Sequence, residues 1–166
     1  METASHILFY GSNDSNPYKE FSDFYMCNFI DDNGNLYNCS EQYFMKKKQE
    51  LFDPANLTTA KSIMESNDPS KIKSFGRKIK NYDDNIWNST RYNVMYDALK
   101  FKFSHNNNLK HILLSTGNKI IVEAAARDKI WGAGMTAQQI INNNYNLKGQ
   151  NLLGQLLMRV RDEMKA

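Results

Sequence analysis

Cysteine, proline and glycine are scarce in this chain, and each scarcity removes a class of protein. Its 166 residues include two cysteines, three prolines and eight glycines. Cys27 and Cys39 lack CxxC spacing, so neither a disulfide scaffold nor a multi-thiolate zinc site is indicated. With no secretory leader in Met1 to Ser15, two isolated thiols read as reduced and the chain as intracellular: cytoplasmic, with the nucleus open to it in a eukaryote. His6, His105 and His111 have no metal-ligand spacing, and no metal is expected. There is no Walker loop, GxSxG elbow or Cys–His pair, and no cofactor is expected. No stretch approaches the ~18 apolar residues of a membrane span. The formal charge of +3, from 21 basic and 18 acidic side chains, is too slight to announce nucleic-acid binding, though it suits an anionic ligand.

What is present is a folded, helix-rich pattern. The 41% hydrophobic and 12% aromatic content supports one sizeable core, so a single compact domain over residues 1–166 is expected. The Asn runs at 106–108 and 142–144 are short, sit between periodic apolar segments, and reflect coding bias rather than a disordered domain. Ile7 to Tyr10 reads as a strand entering a loop at Gly11, and Phe29-Ile30 and Leu36-Tyr37 flank Asp31-Asp32-Asn33-Gly34 as a small hairpin. Ser40 offers a cap for a helix from Glu41 to Phe52. Pro54 opens another to about Ser66, and Asp68-Pro69-Ser70 opens a third through Arg77. The longest helix runs from about Asn85 to Phe103, with a shorter one around Leu109 to Leu114 that stops at Gly117. Ile120 to Val122 is a strand, Asp128 to Gly134 a loop, Thr136 a cap, and Leu152 to Met164 an amphipathic helix. The fold class is α+β, helix-rich, with a few short strands.

Charges fall where a core is expected. On the long helix, about 100° per residue gathers Trp87, Arg91, Met95, Ala98 and Lys102 in one arc, opposite Ser89, Asn93, Asp97 and Lys100. Glu41, Met45 and Lys48 share a face of the earlier helix, beside Phe44 and Phe52. Such groups are either snorkelling or paired side chains, or cleft residues tuned for acid, base or nucleophile chemistry. The run Glu123 to Gly134 adds Asp128 beside Trp131-Gly132-Ala133-Gly134, where Trp131 either packs or stacks on a base or ribose. Gly149-Gln150-Asn151-Leu152-Leu153-Gly154 is either a phosphate-accepting helix N-terminus or a tight turn. It is not a dinucleotide fingerprint, for no strand precedes it.

These residues, in order from Phe9 to Arg161, resemble the NADAR family, which includes the YbiA-like proteins. The resemblance is carried by Phe9-Tyr10, Ser22-Asp23-Phe24, Glu41-Gln42-Tyr43-Phe44 with Lys48, and Phe75-Gly76-Arg77. It continues through Trp87, Arg91, Val94-Met95, Ala98-Leu99 and Lys102-Phe103, then Thr116-Gly117, Ile121, Glu123, Asp128 and Trp131-Gly132 with Gly134. It ends at Gly149, Asn151, Leu153-Gly154, Leu156-Leu157-Met158 and Val160-Arg161. Departures from the family pattern are Asp23 for asparagine, Gln42 for histidine, Lys46 for alanine and Gln49 for phenylalanine. Asp23 and Gln42 are the ones expected to alter which aglycone fits.

The resemblance implies an N-glycosidase that hydrolyses a ribose C1–amine bond. Its preferred substrate is ADP-ribose attached to guanine in DNA or RNA, an ADP-ribosylglycohydrolase activity of DNA de-ADP-ribosylation. An alternative substrate is a small ribosylamino-pyrimidine phosphate of riboflavin synthesis, left open by the absence of an obvious DNA-tracking stripe. A non-catalytic ADP-ribose or NAD-binding module is the third reading. Glu41, then Asp128, are candidate acids for the leaving amine, and Lys48 and Lys102 are candidates for a Schiff base with the opened sugar. Trp87 and Trp131 are candidates for stacking, and Arg77 or Arg91 for phosphate. Ser22, Asp23, Phe24, Tyr43, Phe44, Glu123, Gly132, Gly134, Asn151 and Gly154 complete the expected substrate contacts.

Overall fold

The computed structural model describes residues 1–166. In chain order the elements are β1 (His6–Phe9), a 3-10 turn (Lys19–Phe21), β2 (Phe29–Ile30), β3 (Leu36–Tyr37), α1 (Ser40–Phe52), α2 (Leu57–Glu65), α3 (Pro69–Gly76), α4 (Asp84–His105), α5 (Asn107–Ser115), β4 (Ile120–Glu123), α6 (Ala137–Asn142) and α7 (Leu152–Lys165). This is the expected helix-rich α+β class with a few short strands. No helix is long and apolar enough to cross a membrane. The chain forms two compact units: a terminal unit of Met1–Tyr25 with Asn107–Ala166, and a central unit of Met26–Asn106.

In the central unit, the β2–β3 hairpin pairs Phe29 with Tyr37 and Ile30 with Leu36. Its turn closes on the Asp31 carboxylate, which accepts from the Asn33 and Asn35 backbone amides, the Asn35 side chain and the Tyr37 hydroxyl. Ser40 does not cap α1 as expected. Cys39 is the N-cap, while the Ser40 hydroxyl is buried inside the first turn without a hydrogen bond. Gln42 does the joining instead: its oxygen accepts from the Asn38 amide, and its nitrogen donates to the Ile63 and Met64 carbonyls at the end of α2. That fully internal role corrects the expectation that Gln42 selects the aglycone.

Pro54 does not open α2 either. Asp53 binds the Asn56 side-chain amide, leaving the Asn56 oxygen to accept from Thr59 as the true N-cap. Asp68 caps α3 with Pro69 in its first turn, as expected. The helix then approaches α1 at Gly76, where a Cβ would overlap the Met45 thioether. Phe44, Phe52 and Trp87 join α1 to α4 through ring contacts of 4.9 and 6.1 Å.

In the terminal unit, β1 and β4 pair in parallel, His6 with Ile120 through Phe9 with Glu123. Leu8 and Val122 face Ala124, Ala133, Met135 and Ile140, and Thr136 closes a capping box with Gln139 over α6. α7 packs on β4 through Gly154, where a Cβ would overlap the Ile121 carbonyl and the Asn151 amide. Arg161, buried on α7, donates to the Thr116 hydroxyl at 3.2 Å and the Lys119 carbonyl at 2.6 Å, and so meets the polar cost of its own burial.

The two glycine contacts differ in what must yield. Gly154→Ala forces β4 backbone aside and is expected to cost about 3 kcal/mol, whereas Gly76→Ala asks only a flexible Met45 to swing and is expected to cost about 1 kcal/mol. Urea unfolding followed by tryptophan fluorescence measures both; equal losses would refute this distinction.

Candidate functional site

α1 carries Glu41, Met45 and Lys48 on one face, as its spacing predicts. Glu41 is buried and Lys48 half-buried. The Lys48 ammonium donates to the Gly76 carbonyl at 3.1 Å, at the C-terminal end of α3. It also stands 4.5 Å from the centre of the Tyr82 ring. Burial is the largest influence on this amine and pushes its pKa below the ordinary lysine value. Glu41 opposes that shift, and the neighbouring Arg77 guanidinium adds to it.

No spacing or motif in the sequence singles out Tyr82. It lies between Asn81, in the left-handed region at φ 57°, and the Asp83 cap of α4, and its hydroxyl donates to Asp84 at 2.7 Å. The residue is 43% exposed, so it is within reach of a ligand from solvent. Burial, followed by the Asp84 hydrogen bond, raises the pKa of its hydroxyl, and the Arg91 charge opposes this. Only the backbone turn at Asn81 brings this aromatic over Lys48, and no periodic pattern foretells such a turn.

Arg91 is half-buried on α4, and its Nε is enclosed without a hydrogen bond. Arg77 is exposed at the end of α3. Trp87, expected as a stacking ring, is only 5% exposed and wedged between Phe44 and Phe52. Its ring is therefore core, and Phe44 is a core neighbour with it. Tyr43 packs with Phe29, Tyr37 and Phe101, and it lines a separate cleft of about 340 Å³ with Asp31, Asp97 and Lys100.

Lys102 is fully buried on α4, on the arc predicted for it. The contact of Tyr43 with Phe101 puts the Glu41 end of α1 beside the Lys102 end of α4. Asn106 donates to both the Lys102 and Asn28 carbonyls, pinning that end of α4 to the segment before β2. Burial raises the Cys27 thiol pKa there, and the Lys102 ammonium opposes it. The central unit thus assembles Glu41, Lys48, Arg77 and Arg91 with Tyr82, and holds Lys102 further along α4.

The terminal unit holds the other expected residues. Ser22 accepts from the Phe24 amide, with Asp23 half-buried between them. Asp128 Oδ1 accepts from the Ile130 and Trp131 amides at 2.9 Å each, so this carboxylate positions the Trp131 loop. Trp131 is half-buried on that loop. Ala133 donates to the Glu123 carbonyl, and Gly134 takes φ 63°, closing the turn on the Asp128 carbonyl. Asn151 donates to the Ile121 carbonyl and accepts from the Glu123 amide, committing its whole side chain to β4. The amides of Gln150, Leu152 and Leu153 donate to the carbonyls of Lys129, Ile130 and Trp131. The N-terminus of α7 is therefore occupied by this loop and offers no phosphate site. Asn151, Gly154 and Gly132 serve this close packing. No group of three or more His, Cys, Asp or Glu is placed to hold a metal ion.

A family model for the NADAR domain matches residues 8–165. The chain belongs to the NADAR family. An N-glycosidase of Acanthamoeba polyphaga mimivirus is 40% identical to it over 98% of both chains. The N-glycosidase YbiA of Shigella flexneri is 31% identical over 95% of this chain and 88% of its own. A riboflavin biosynthesis protein of maize, the chloroplastic PYRR, is 32% identical over 81% of this chain but only 21% of its own length. The NMR structure of Escherichia coli YbiA superimposes with a TM-score of 0.77 at 28% identity, covering 99% of this chain and 88% of that one.

The lowered Lys48 pKa has a definite stability sign. Folded Lys48 loses its proton below the ordinary value of 10.5, so just below that pH the unfolded chain binds more protons and rising pH favours the fold. The stability difference between wild type and Lys48→Met is expected to climb as pH approaches 10.5. A difference flat with pH in urea midpoints would show an unperturbed amine.

Proposed function

We propose that this NADAR protein is an N-glycosidase that hydrolyses the ribose C1–amine bond of ADP-ribosylated guanine in nucleic acid. The observation that carries the reading is a half-desolvated Lys48 ammonium between the Gly76 carbonyl and the Tyr82 ring, sharing a helix face with the Glu41 carboxylate. Relatives spanning nearly the whole chain are named N-glycosidases, which supports the bond type.

Cleavage needs a proton on the departing amine and relief of positive character at C1. Glu41 supplies the proton and then accepts one from water. A lysine route runs in parallel. The amine nitrogen's lone pair forms an imine with C1 as the C1–ring-oxygen bond breaks and that oxygen takes a proton, and a neutral lysine then adds to C1 and expels the guanine amine. Water then hydrolyses the lysine imine and frees the sugar. Lys48 suits this step because burial favours its neutral form, with Lys102 as the second candidate. Arg91, with an unused Nε, and Arg77 meet the pyrophosphate through charge-assisted hydrogen bonds. Tyr82, rather than the buried Trp87, takes the stacking role, and Trp131 is a stacking candidate on its own loop. Asp128 acts by holding that loop.

A second reading replaces the nucleic-acid adduct by a ribosylamino-pyrimidine phosphate. It is favoured by relatives named riboflavin biosynthesis proteins, in maize and Vibrio vulnificus. Turnover compared on ADP-ribosyl-guanine DNA and on the pyrimidine intermediate separates the two.

With ADP-ribosyl-guanine DNA, free ADP-ribose is expected from wild type, and Glu41→Gln and Lys48→Ala are each expected to lose about 100-fold or more in kcat. Lys102→Ala tests the second lysine. Full turnover by all three variants would sink the site assignment. Borohydride during turnover is expected to fix a sugar adduct on one lysine, and no added mass would leave direct carboxylate-assisted hydrolysis.

A further inference from the structure

The modest charge of the whole chain conceals a concentrated one. Lys71, Lys73, Arg77, Lys78 and Lys80 place five cations in ten residues, with no acidic side chain between Asp68 and Asp83. That cluster exceeds the formal excess of +3 for the entire protein, so the remaining chain is net acidic. The fold puts all five side chains in solvent. Ile72 is fully buried, Gly76 abuts Met45, and Ile79 is buried beyond the helix. With that side turned inward, about 100° per residue distributes Lys71, Lys73 and Arg77 around the outward half of α3, and Lys78 and Lys80 continue the line.

Several lysines elsewhere are matched locally: Lys19 with Asp14, Lys46 and Lys47 with Glu50, Lys119 with Glu2, Lys165 with Asp162. Lys100, Lys110, Lys129 and Lys148 form no salt bridge but are scattered along the chain. Lys71, Arg77, Lys78 and Lys80 form no salt bridge. The helix dipole accounts for cations at the C-terminal end of α3 but opposes Lys71 in its first turn, and it does not reach Lys80. With no acidic side chain inside the segment, its charge would attract an external anion.

We propose that this segment is a track for the sugar-phosphate backbone of a nucleic-acid strand, leading into the site at Lys48. The track and the site are continuous, because Gly76 accepts the Lys48 hydrogen bond and Arg77 acts on the same amine. Its length, about 15 Å from the helical rise and the turn residues after it, suits roughly four phosphates, more than one pyrophosphate requires. A membrane surface is disfavoured because the outward half presents no bulky apolar anchor: Ile72 and Ile79 are buried and Phe75 is half-buried, with Lys78 5.9 Å from its ring centre. The inference deepens the proposed reaction by requiring the adduct to arrive on a polynucleotide.

The test pairs binding with turnover. Anisotropy of a labelled, unmodified 12-nucleotide single strand is measured across 50 to 200 mM NaCl, a range in which the Debye length is about 10 Å near 0.1 M. The protein carries either Lys71→Gln/Lys78→Gln/Lys80→Gln or the charge-matched Lys100→Gln/Lys110→Gln/Lys148→Gln. The track triple is expected to weaken binding about tenfold or more and to flatten the log–log salt slope by about 2, at roughly 0.7 per lost phosphate contact. The matched triple is expected to stay within about twofold of wild type. In turnover, the track triple is expected to raise KM for the strand-borne adduct while leaving kcat and free ADP-ribosyl-guanosine unaffected. Equal effects of the two triples, no strand binding at 50 mM salt, or preference for phosphatidylserine vesicles over the strand would each overturn the track. If wild type cleaves neither adduct, the reaction assignment fails and anisotropy alone decides the track.

Discussion

Lys48 carries its charge on the apolar side of α1, and the central unit is arranged so that this charge is met. A bare ammonium in such a place would cost several kcal/mol. Gly76 supplies a carbonyl, the turn at Asn81 supplies the Tyr82 ring, and Glu41 supplies opposite charge from the same face of α1. Each partner comes from a different element, so α1, α3 and the start of α4 must hold their relative positions for the amine to be accommodated. Phe44, Phe52 and Trp87 hold α1 on α4 and leave the polar groups to the chemistry.

The terminal unit follows a different economy, in which backbone groups rather than charges are kept satisfied. Asn151 bridges both sides of β4, and the first amides of α7 bond the carbonyls before Ala133. Asp128 holds the amides of Ile130 and Trp131 from within the same loop. The result is a tryptophan whose position is fixed by hydrogen bonds to main chain, a rigid support of the kind ligand loops require.

Electrostatics links the reaction proposed for Lys48 to the basic segment beside it. A desolvated amine stays neutral more readily when cations crowd it, and Arg77 belongs both to that crowd and to the outward line of lysines. A polyanion seated on α3 would relieve the repulsion and raise the amine pKa again, so ligand binding and protonation are coupled at this end of the helix.

The sequence by itself determined the helices, the hairpin and the sides of α1 and α4 on which Glu41, Lys48, Arg91 and Lys102 lie. Those features follow from spacing along one element, and the family pattern from Phe9 to Arg161 added the bond type. It misjudged Ser40 and Pro54, because cap identity depends on which nearby side chains compete for the same amides. It also took Trp87 for a ligand contact, since an aromatic on an apolar arc looks the same whether its neighbours are rings or solvent. Only the tertiary structure decided that Trp87 and Gln42 are internal, that the α7 amides are already bonded, and that Tyr82 covers Lys48. These outcomes depend on contacts between elements distant in sequence, where a left-handed residue such as Asn81 redirects the chain and no local period records where it goes.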